Sequence, residues 1–492
     1  MRTLRKPAAI LLLACFPGFA AGLNPTVGWN VTNNANGNAA NGGGFDPSVS
    51  APGTNLSLAN PVSFTDLTCT GFTCTSTTLA FGLASPGNIL NVTAGTGCAT
   101  GRHEILTVSG STATFNDSIG TGTCSGIAYG ALDTWAHAES AVNAAGQIIW
   151  IQCTGTPYTI TSGVTGASVA EHWVWAYQTS WNDQANVSWA NRCWPSIQSN
   201  TAGINIFTVA GSETVQLDGL ELRASGSTFN QYAIGSGGLG LELKNCKLTG
   251  NDVATTVGID EFGANISVEV DNSEISHWGY GLFTGNGVQW WTVRHGSYIH
   301  HNSYAGIGDA GLLAGFSFLI TSTNAIWDSN GYCVYISSSS SAPERIDFDH
   351  SVCSNSTHDG INNQTGHVNN KNINAFTNSI FYGNAGYAIT QPGCFSGPQG
   401  VFGEPAYNNA TGSNGSGPYN CITSPNDVAL GACNPFTNAA GGDFTLSTCA
   451  KAVLAEKGYP GATITGTGYP DIGPFQTKAV TGGGNSPHAY VQ

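Results

Sequence analysis

The chain has 492 residues, with 14 basic against 29 acidic side chains and a formal net charge of −15. So acidic a chain repels nucleic acid and anionic lipid at long range, which counts against both as partners and leaves neutral sugars and divalent cations open. Only 9% of residues are charged, yet 41% are hydrophobic and 66 are Gly, a composition that suits a turn-rich β-protein rather than a disordered chain.

In chain order, Arg2, Arg5 and Lys6 precede the apolar run from Ala8 to Ala14, and Phe19-Ala-Ala-Gly22 follows. That order predicts a secretory signal peptide over 1–22, and so a secreted or cell-surface protein. The alternative is a lipoprotein anchored at Cys15, because Leu12-Leu-Ala-Cys15 is similar to a lipoprotein cleavage box. The run is shorter than the roughly 20 apolar residues of a membrane helix, and no transmembrane span is expected elsewhere. Without the leader the balance is 11 basic against 29 acidic, a net charge of −18.

Residues 23–58 are rich in Asn, Gly and Ser and read either as an exposed entry segment or as a linker. Short alternating runs follow at Ser63 to Leu67, Asn88 to Val92, Ile105 to Val108 and Ala113 to Phe115. They predict a small β-module of four to six strands within 23–130. The stretch 131–146 reads as a helix, with Ala131, Trp135, Ala138, Val142 and Ala145 on one face and Gly146 placed to end it. Gln147-Ile-Ile-Trp-Ile-Gln152 reads as a strand. Trp173, Trp175, Trp181, Trp189 and Trp194 then form either a sugar-stacking surface or the packing of a long loop.

From residue 216 a phrase recurs. It reads Asn245-Cys-Lys-Leu-Thr-Gly-Asn251, Asn272-Ser-Glu-Ile-Ser-His-Trp278, Gly296-Ser-Tyr-Ile-His-His-Asn302, Asn324-Ala-Ile-Trp-Asp-Ser-Asn330, His350-Ser-Val-Cys-Ser-Asn-Ser356 and Asn378-Ser-Ile-Phe-Tyr-Gly-Asn384, with Gly219 opening a weaker first copy. Copies start 24 to 28 residues apart. A period in the twenties indicates stacked units, and the small or apolar second and fourth positions alternate as a strand does. Stacked coils pair each strand with its equivalent about 4.8 Å above and below. Gly219, Asn245, Asn272, Asn324, His350 and Asn378 should therefore form one column, with Gly296 within one residue of it, and stacked amides can hydrogen-bond along the column. The Gly442-to-Ser447 and Tyr469-to-Phe475 phrases read as closing elements, and 477–492 as a loose tail.

On these phrases the chain resembles the pectin-lyase-like superfamily. The resemblance implies an all-β fold over 131–476: a right-handed single-stranded parallel β-helix, or solenoid, with an N-terminal helix cap and a small preceding β-module.

Among the cysteines, the local pairs are Cys69 with Cys74, Cys98 with Cys124, Cys153 with Cys193, Cys394 with Cys421 and Cys433 with Cys449. Cys246 and Cys353 fall at inward positions, where a free thiol acts as a small hydrophobe.

Seven of the 11 His lie between His277 and His367, with Asp271, Arg294, Asp347 and Asp349 in the same region. The pattern offers His350 or His358 as a base, with Arg294, or a Ca²⁺ held by Asp347 and Asp349, neutralising a uronate carboxylate. Asp347-Phe-Asp-His350 followed by His358-Asp-Gly-Ile361 is similar to alginate epimerase motifs. Asp271 and Arg294, one coil apart, read first as a salt bridge. His295, His300, His301, Trp278 and Asp271 complete a ligand-binding set. The expected function is an exported β-helix that binds or adheres to extracellular polysaccharide, the partner being a polysaccharide or cell-surface glycan and not nucleic acid. The alternatives are a polysaccharide lyase, C5-epimerase or glycoside hydrolase on the same scaffold, and a surface or virion-type structural protein.

Overall fold

The computed structural model describes residues 28–454, apart from 34–43, 46–61, 78–88, 116, 129–131, 179–182, 185–186, 210, 212, 226–231, 262–265, 285–288, 310–317, 338–343, 365–374, 391–408 and 421–426. The repeat winds into coils whose strands line up in three sheets of 11, 11 and 10 strands. One coil shows the pattern: Ile266–Asp271 in the first sheet, Glu274–Ser276 in the second and Tyr280–Thr284 in the third. Each strand pairs in parallel with its equivalents in neighbouring coils, which makes the chain a parallel β-helix.

Alternation fills the lumen. Leu217, Leu243, Val270, Val293, Ser322, Phe348 and Phe376 stack in register along the inward face of the first sheet, and all are buried. From Gly219 onward the coil bends between the first and second sheets at one left-handed residue: Gly219 (φ +77°), Asn245, Asn272, His295, Asn324, His350 and Asn378. Gly and Asn recur there because they tolerate that conformation. Gly296 lies one position past the column, as the phrase spacing requires.

Two polar ladders reinforce the bends. Asn272 Nδ2 donates to Asn245 Oδ1 at 2.7 Å, the amide contact expected of the column. Behind it, the inward Ser of several phrases accepts the N–H of the coil before: Cys246 N to Ser273 Oγ (3.0 Å), Ser273 N to Ser297 Oγ (3.3 Å) and Ser351 N to Ser379 Oγ (3.1 Å). A second amide ladder runs through the closing Asn of the phrases, Asn302 to Asn330 and Asn384 to Asn414. These side chains satisfy backbone donors that no strand partner reaches, which is why small polar residues persist inside the coil.

The entry segment is no linker where it is described. Gly28–Val31 pairs in parallel with Gln147–Gln152 and extends the first sheet. The helix Trp135–Ala141 is shorter than the sequence suggests. Thr134 caps its start, and Val142 leaves it in an extended conformation. Trp135 stacks on Phe207 at 4.5 Å, and buried Glu139 binds buried His172 at 3.0 Å, so the helix packs on the first coils. The strands Val62–Gly71, Thr73–Thr75, Ile89–Cys98, Gly101–Ser109, Thr112–Phe115 and Gly120–Ala128 form a closed, six-stranded antiparallel barrel with its own core of Phe64, Leu67, Leu90, Ile105 and Phe115. At the other end, the hairpin of Phe436–Asn438 and Asp443–Leu446 and the helix Thr448–Leu454 cover an apolar row on the second sheet, Ile326, Val352, Ile380 and Ala410.

Four expected disulfides form: Cys69–Cys74, Cys98–Cys124, Cys153–Cys193 and Cys433–Cys449. Cys394, Cys421, the leader, the Tyr469-to-Phe475 phrase and the tail lie outside the described residues. Cys353 is a correction. It is not a free thiol but bonds to Cys333, because the two inward positions on successive coils bring their Cα atoms within 6.0 Å across the lumen. Cys246 is buried and free, and burial pushes its thiol up to about 12. Native protein should therefore resist alkylation at Cys246 for hours and react promptly once unfolded, as peptide mass mapping would show. Fast labelling in the native state would contradict this packing.

Candidate functional site

The outward face of the first sheet carries two adjacent rows. One runs Trp175, Asp218, Lys244, Asp271, Arg294, Thr323 and Asp349, each in register with the next. The other runs Trp173, Gln216, Glu242, Glu269, Thr292, Thr321 and Asp347. Strand alternation puts every one of these side chains outside the lumen.

Near the first coils these rows form a cleft. Trp150, Trp175, Gln184, Arg192, Gln216, Asp218 and Lys244 line it. The Cys153–Cys193 bond ties down the segment that delivers Arg192, whose Nη1 donates to Asp218 Oδ1 at 3.1 Å. Asn245 Nδ2 donates to the same oxygen at 2.9 Å. Trp175 Nε1 donates to Gln216 Oε1 (3.1 Å), and Gln216 Nε2 donates to Glu242 Oε2 (2.9 Å). Glu242 is paired across the strands with Glu269, which binds Arg294. Arg294 Nε also meets Asp271 Oδ2 at 3.3 Å, and Asp271 binds His295 Nδ1 at 3.0 Å. A run of polar groups in register thus extends from Trp175 to His295, with Glu242 and Glu269 side by side on adjacent strands.

Its carboxyls are perturbed. Burial, reinforced by the Glu269 carboxylate, pushes Glu242 up to about 7. Burial also raises Glu269, only partly offset by Arg294. Asp218 is raised by burial, against the pull of Asn245 and Arg192. Glu242 is therefore about half protonated near neutrality, and in its protonated form it can donate a hydrogen bond.

The residues singled out in the sequence fall into separate places. Asp271, Arg294 and His295 lie together in this chain, and the anticipated Asp271–Arg294 bridge forms. Asp349 and His350 sit at the same bend two coils on, with His350 Nδ1 2.9 Å from Asp349 Oδ1. Burial raises Asp349, but the hydrogen bond from His350 and those from Thr377 and Asn378 outweigh it and hold the carboxyl low. Two coils are about 10 Å, so Arg294 does not reach His350. Asp347 faces outward in the next row, gripped by Arg345 Nε at 2.7 Å. Among the described residues, no group of three or more His, Cys, Asp and Glu is placed to share one ion.

His300, His301 and His358 belong to the opposite bend, between the second and third sheets. His300 stacks on Tyr298 and binds Glu274 at 3.1 Å, with His301 packed against His277. Burial, with His300 and His277 nearby, lowers His301. His358 stacks on Tyr332 at 4.8 Å. Trp278 is fully buried in the lumen, its Nε1 donating to Leu248 O, and offers no surface to a ligand. His367 and Trp181 lie outside the described residues.

Sequence reasoning passed over Gln216, Asp218, Glu242, Glu269 and Arg192. Their signal was available, since 216, 242 and 269 stand one coil apart. It also passed over an aromatic run outside the third sheet: Tyr280, Phe283, Tyr304, Tyr332 and Tyr335, with neighbouring rings 4.7 to 5.4 Å apart. The five tryptophans divide. Trp173 packs with Ile148, Trp150 and Tyr177, whereas Trp175 is half-buried at the cleft. Trp189 and Trp194 are half-buried under Lys247, whose Nζ stands 3.8 Å from the Trp194 ring.

The fold places the chain in the class of parallel β-helix proteins. No family model matches it, and no curated protein does. Among solved structures it is similar to pectate lyase Pel9A, at 17% identity and a TM-score of 0.43, covering 70% of this chain and 91% of that one. It is also similar to the Dettilon tailspike protein (12%, TM-score 0.31, 60% and 57%) and to the catalytic domain of a GH87 alpha-1,3-glucanase (10%, TM-score 0.24, 75% and 89%). Function is therefore read from the chain's own residues.

Proposed function

We propose that this protein is exported and binds an extracellular polysaccharide along the outward face of its first sheet. The chain of groups from Trp175 through Gln216, Glu242 and Glu269 to Arg294, Asp271 and His295 carries this reading. It spans four strand spacings, roughly 19 Å. An aromatic ring to stack on, with alternating donors and acceptors beside it, suits a row of sugar rings and hydroxyls. The net charge of −15 favours a neutral glycan over a polyanion. Disulfides in both the barrel and the coil fit an oxidising compartment, to which the leader read at 1–22 would direct the chain.

Glu242 favours a second reading, turnover. A carboxyl raised to about 7, and so able to hold a proton near neutrality, beside a second carboxyl on the next strand is the pairing that glycoside hydrolysis uses. A panel of neutral and uronic polysaccharides, assayed for retention and for released reducing ends, separates the two readings. Binding without product supports adhesion, and product lost in Glu242→Gln supports hydrolysis. Retention of none of the glycans would sink both.

The same carboxyl sets a pH signature. Its folded pKa of about 7 exceeds the ordinary 4.5, so the folded chain holds the extra proton between those values. Its contribution to stability is greatest below about 4.5 and is lost as pH rises through about 7. The melting temperature should fall across that window, and Glu242→Gln should flatten the fall. An unchanged slope in the variant would contradict the burial of this carboxyl.

A further inference from the structure

We propose that the cleft is closed at its Trp150 end, so that the protein holds a polysaccharide by a chain terminus and not along its middle. This rests on the binding reading above and names the part of the ligand that is held. Asn30 and Trp150 continue the row of Trp175, and Ile148 continues the row of Trp173, each in register with the next. Strand alternation points all of these side chains out of the lumen. Yet Asn30, Ile148, Trp150 and Trp173 are all buried. With Tyr177, the last three form an apolar cluster of their own, and Tyr177 Oη donates to Asn30 Oδ1 at 2.6 Å. The outward face is thus covered at this end. Past Trp175 the rows emerge: Lys244 is exposed, and the His295 side chain is 56% exposed. A sugar chain lying along the rows can leave at the His295 end and has no room to continue past Trp175.

A side wall stands at the same end. Later coils pass from the first to the second sheet through one bend residue. In this coil the connection runs from Gln178 to Pro195, between the strands Glu171–Tyr177 and Ser196–Ser199. The Cys153–Cys193 bond fixes it to the coil before. Arg192 lies against the bend of the next coil, where a Cβ on Gly219 would stand 2.9 Å from its Nη1 and 3.1 Å from Ala176 Cβ. That bend is therefore Gly, whereas the next two are Asn. Trp194 Nε1 donates to Asn245 O at 3.0 Å, so the wall spans the bends at Gly219 and Asn245. Inside the wall stand Asp218, Arg192 and Lys244. A terminal sugar carries a free hydroxyl that an internal sugar has spent on its linkage. Polar groups in a closed pocket can select for that hydroxyl, because a ligand lacking it leaves them unpaired.

Linear β-1,3-glucan, amylose, xylan and galactan, each fractionated by length, test the closed end through the protein bound per chain in analytical ultracentrifugation. For a retained glycan the expected result is one protein per chain at every length. A short fraction that fills the rows should also compete mole for mole with the longest. Gly219→Asn suits the left-handed bend but drives a side chain into Arg192. It should weaken the binding of short and long fractions by the same factor, about tenfold. If that variant fails to fold, the length series still decides. Protein per chain that rises with length would overturn the closed end and leave the binding reading standing. Wild-type affinity in Gly219→Asn would overturn the placement of the terminus at this wall. Retention of no fraction would remove the binding reading and this inference with it.

Discussion

Phe348→Ala should lower the unfolding free energy by about 3–5 kcal/mol, measured by denaturant melts against the wild type. Phe348 is fully buried where the coil is most aromatic, with ring centroids 5.8 Å from Trp327, 6.3 Å from Phe376 and 6.5 Å from Phe381. Strands above and below are pinned by the ladder, so the lumen cannot collapse onto the space left behind. The loss should be larger than for Phe348→Leu, which keeps most of the volume. A change below about 1 kcal/mol would mean that the lumen is not packed as described.

Trp175→Ala should weaken polysaccharide retention about tenfold, equivalent to about 1.4 kcal/mol, while the melting temperature moves little. The ring is half-buried at the cleft, and its Nε1 holds Gln216, which in turn holds Glu242. Removing it takes away a stacking surface and loosens the donor chain together. Trp175→Phe keeps a ring and loses the N–H, so it should fall between the two, and affinity electrophoresis ranks the three. Equal retention by all three would move the binding face elsewhere, first to the aromatic run through Tyr304 and Tyr332.

The coil was legible because its rules are local. A left-handed bend every 23 to 29 residues selects Gly, Asn or His, and inward alternation selects small and apolar side chains, so both leave marks in the sequence. His295 shows the limit of that reading. The phrase opens at Gly296, but the bend residue is His295, because two successive residues there are left-handed. The chemistry was less legible, since neighbours in sequence part at each bend. His295 and His300 stand five positions apart, yet one faces Asp271 and the other Glu274, on either side of a strand. Conversely, Gln216, Glu242 and Glu269 meet on the surface while standing a full coil apart in the chain. Cys333 and Cys353 meet across the lumen, a pairing that depends on which sheet each residue joins and not on their separation.

Hydroxyl-radical footprinting with and without a retained polysaccharide tests the proposed binding face most directly. Binding on the outward face of the first sheet should protect Trp175 and the peptides carrying Gln216, Glu242 and Arg294, and leave Tyr304, Tyr332 and His358 as reactive as before. Protection confined to Tyr304 and Tyr332, with Trp175 unchanged, would contradict it.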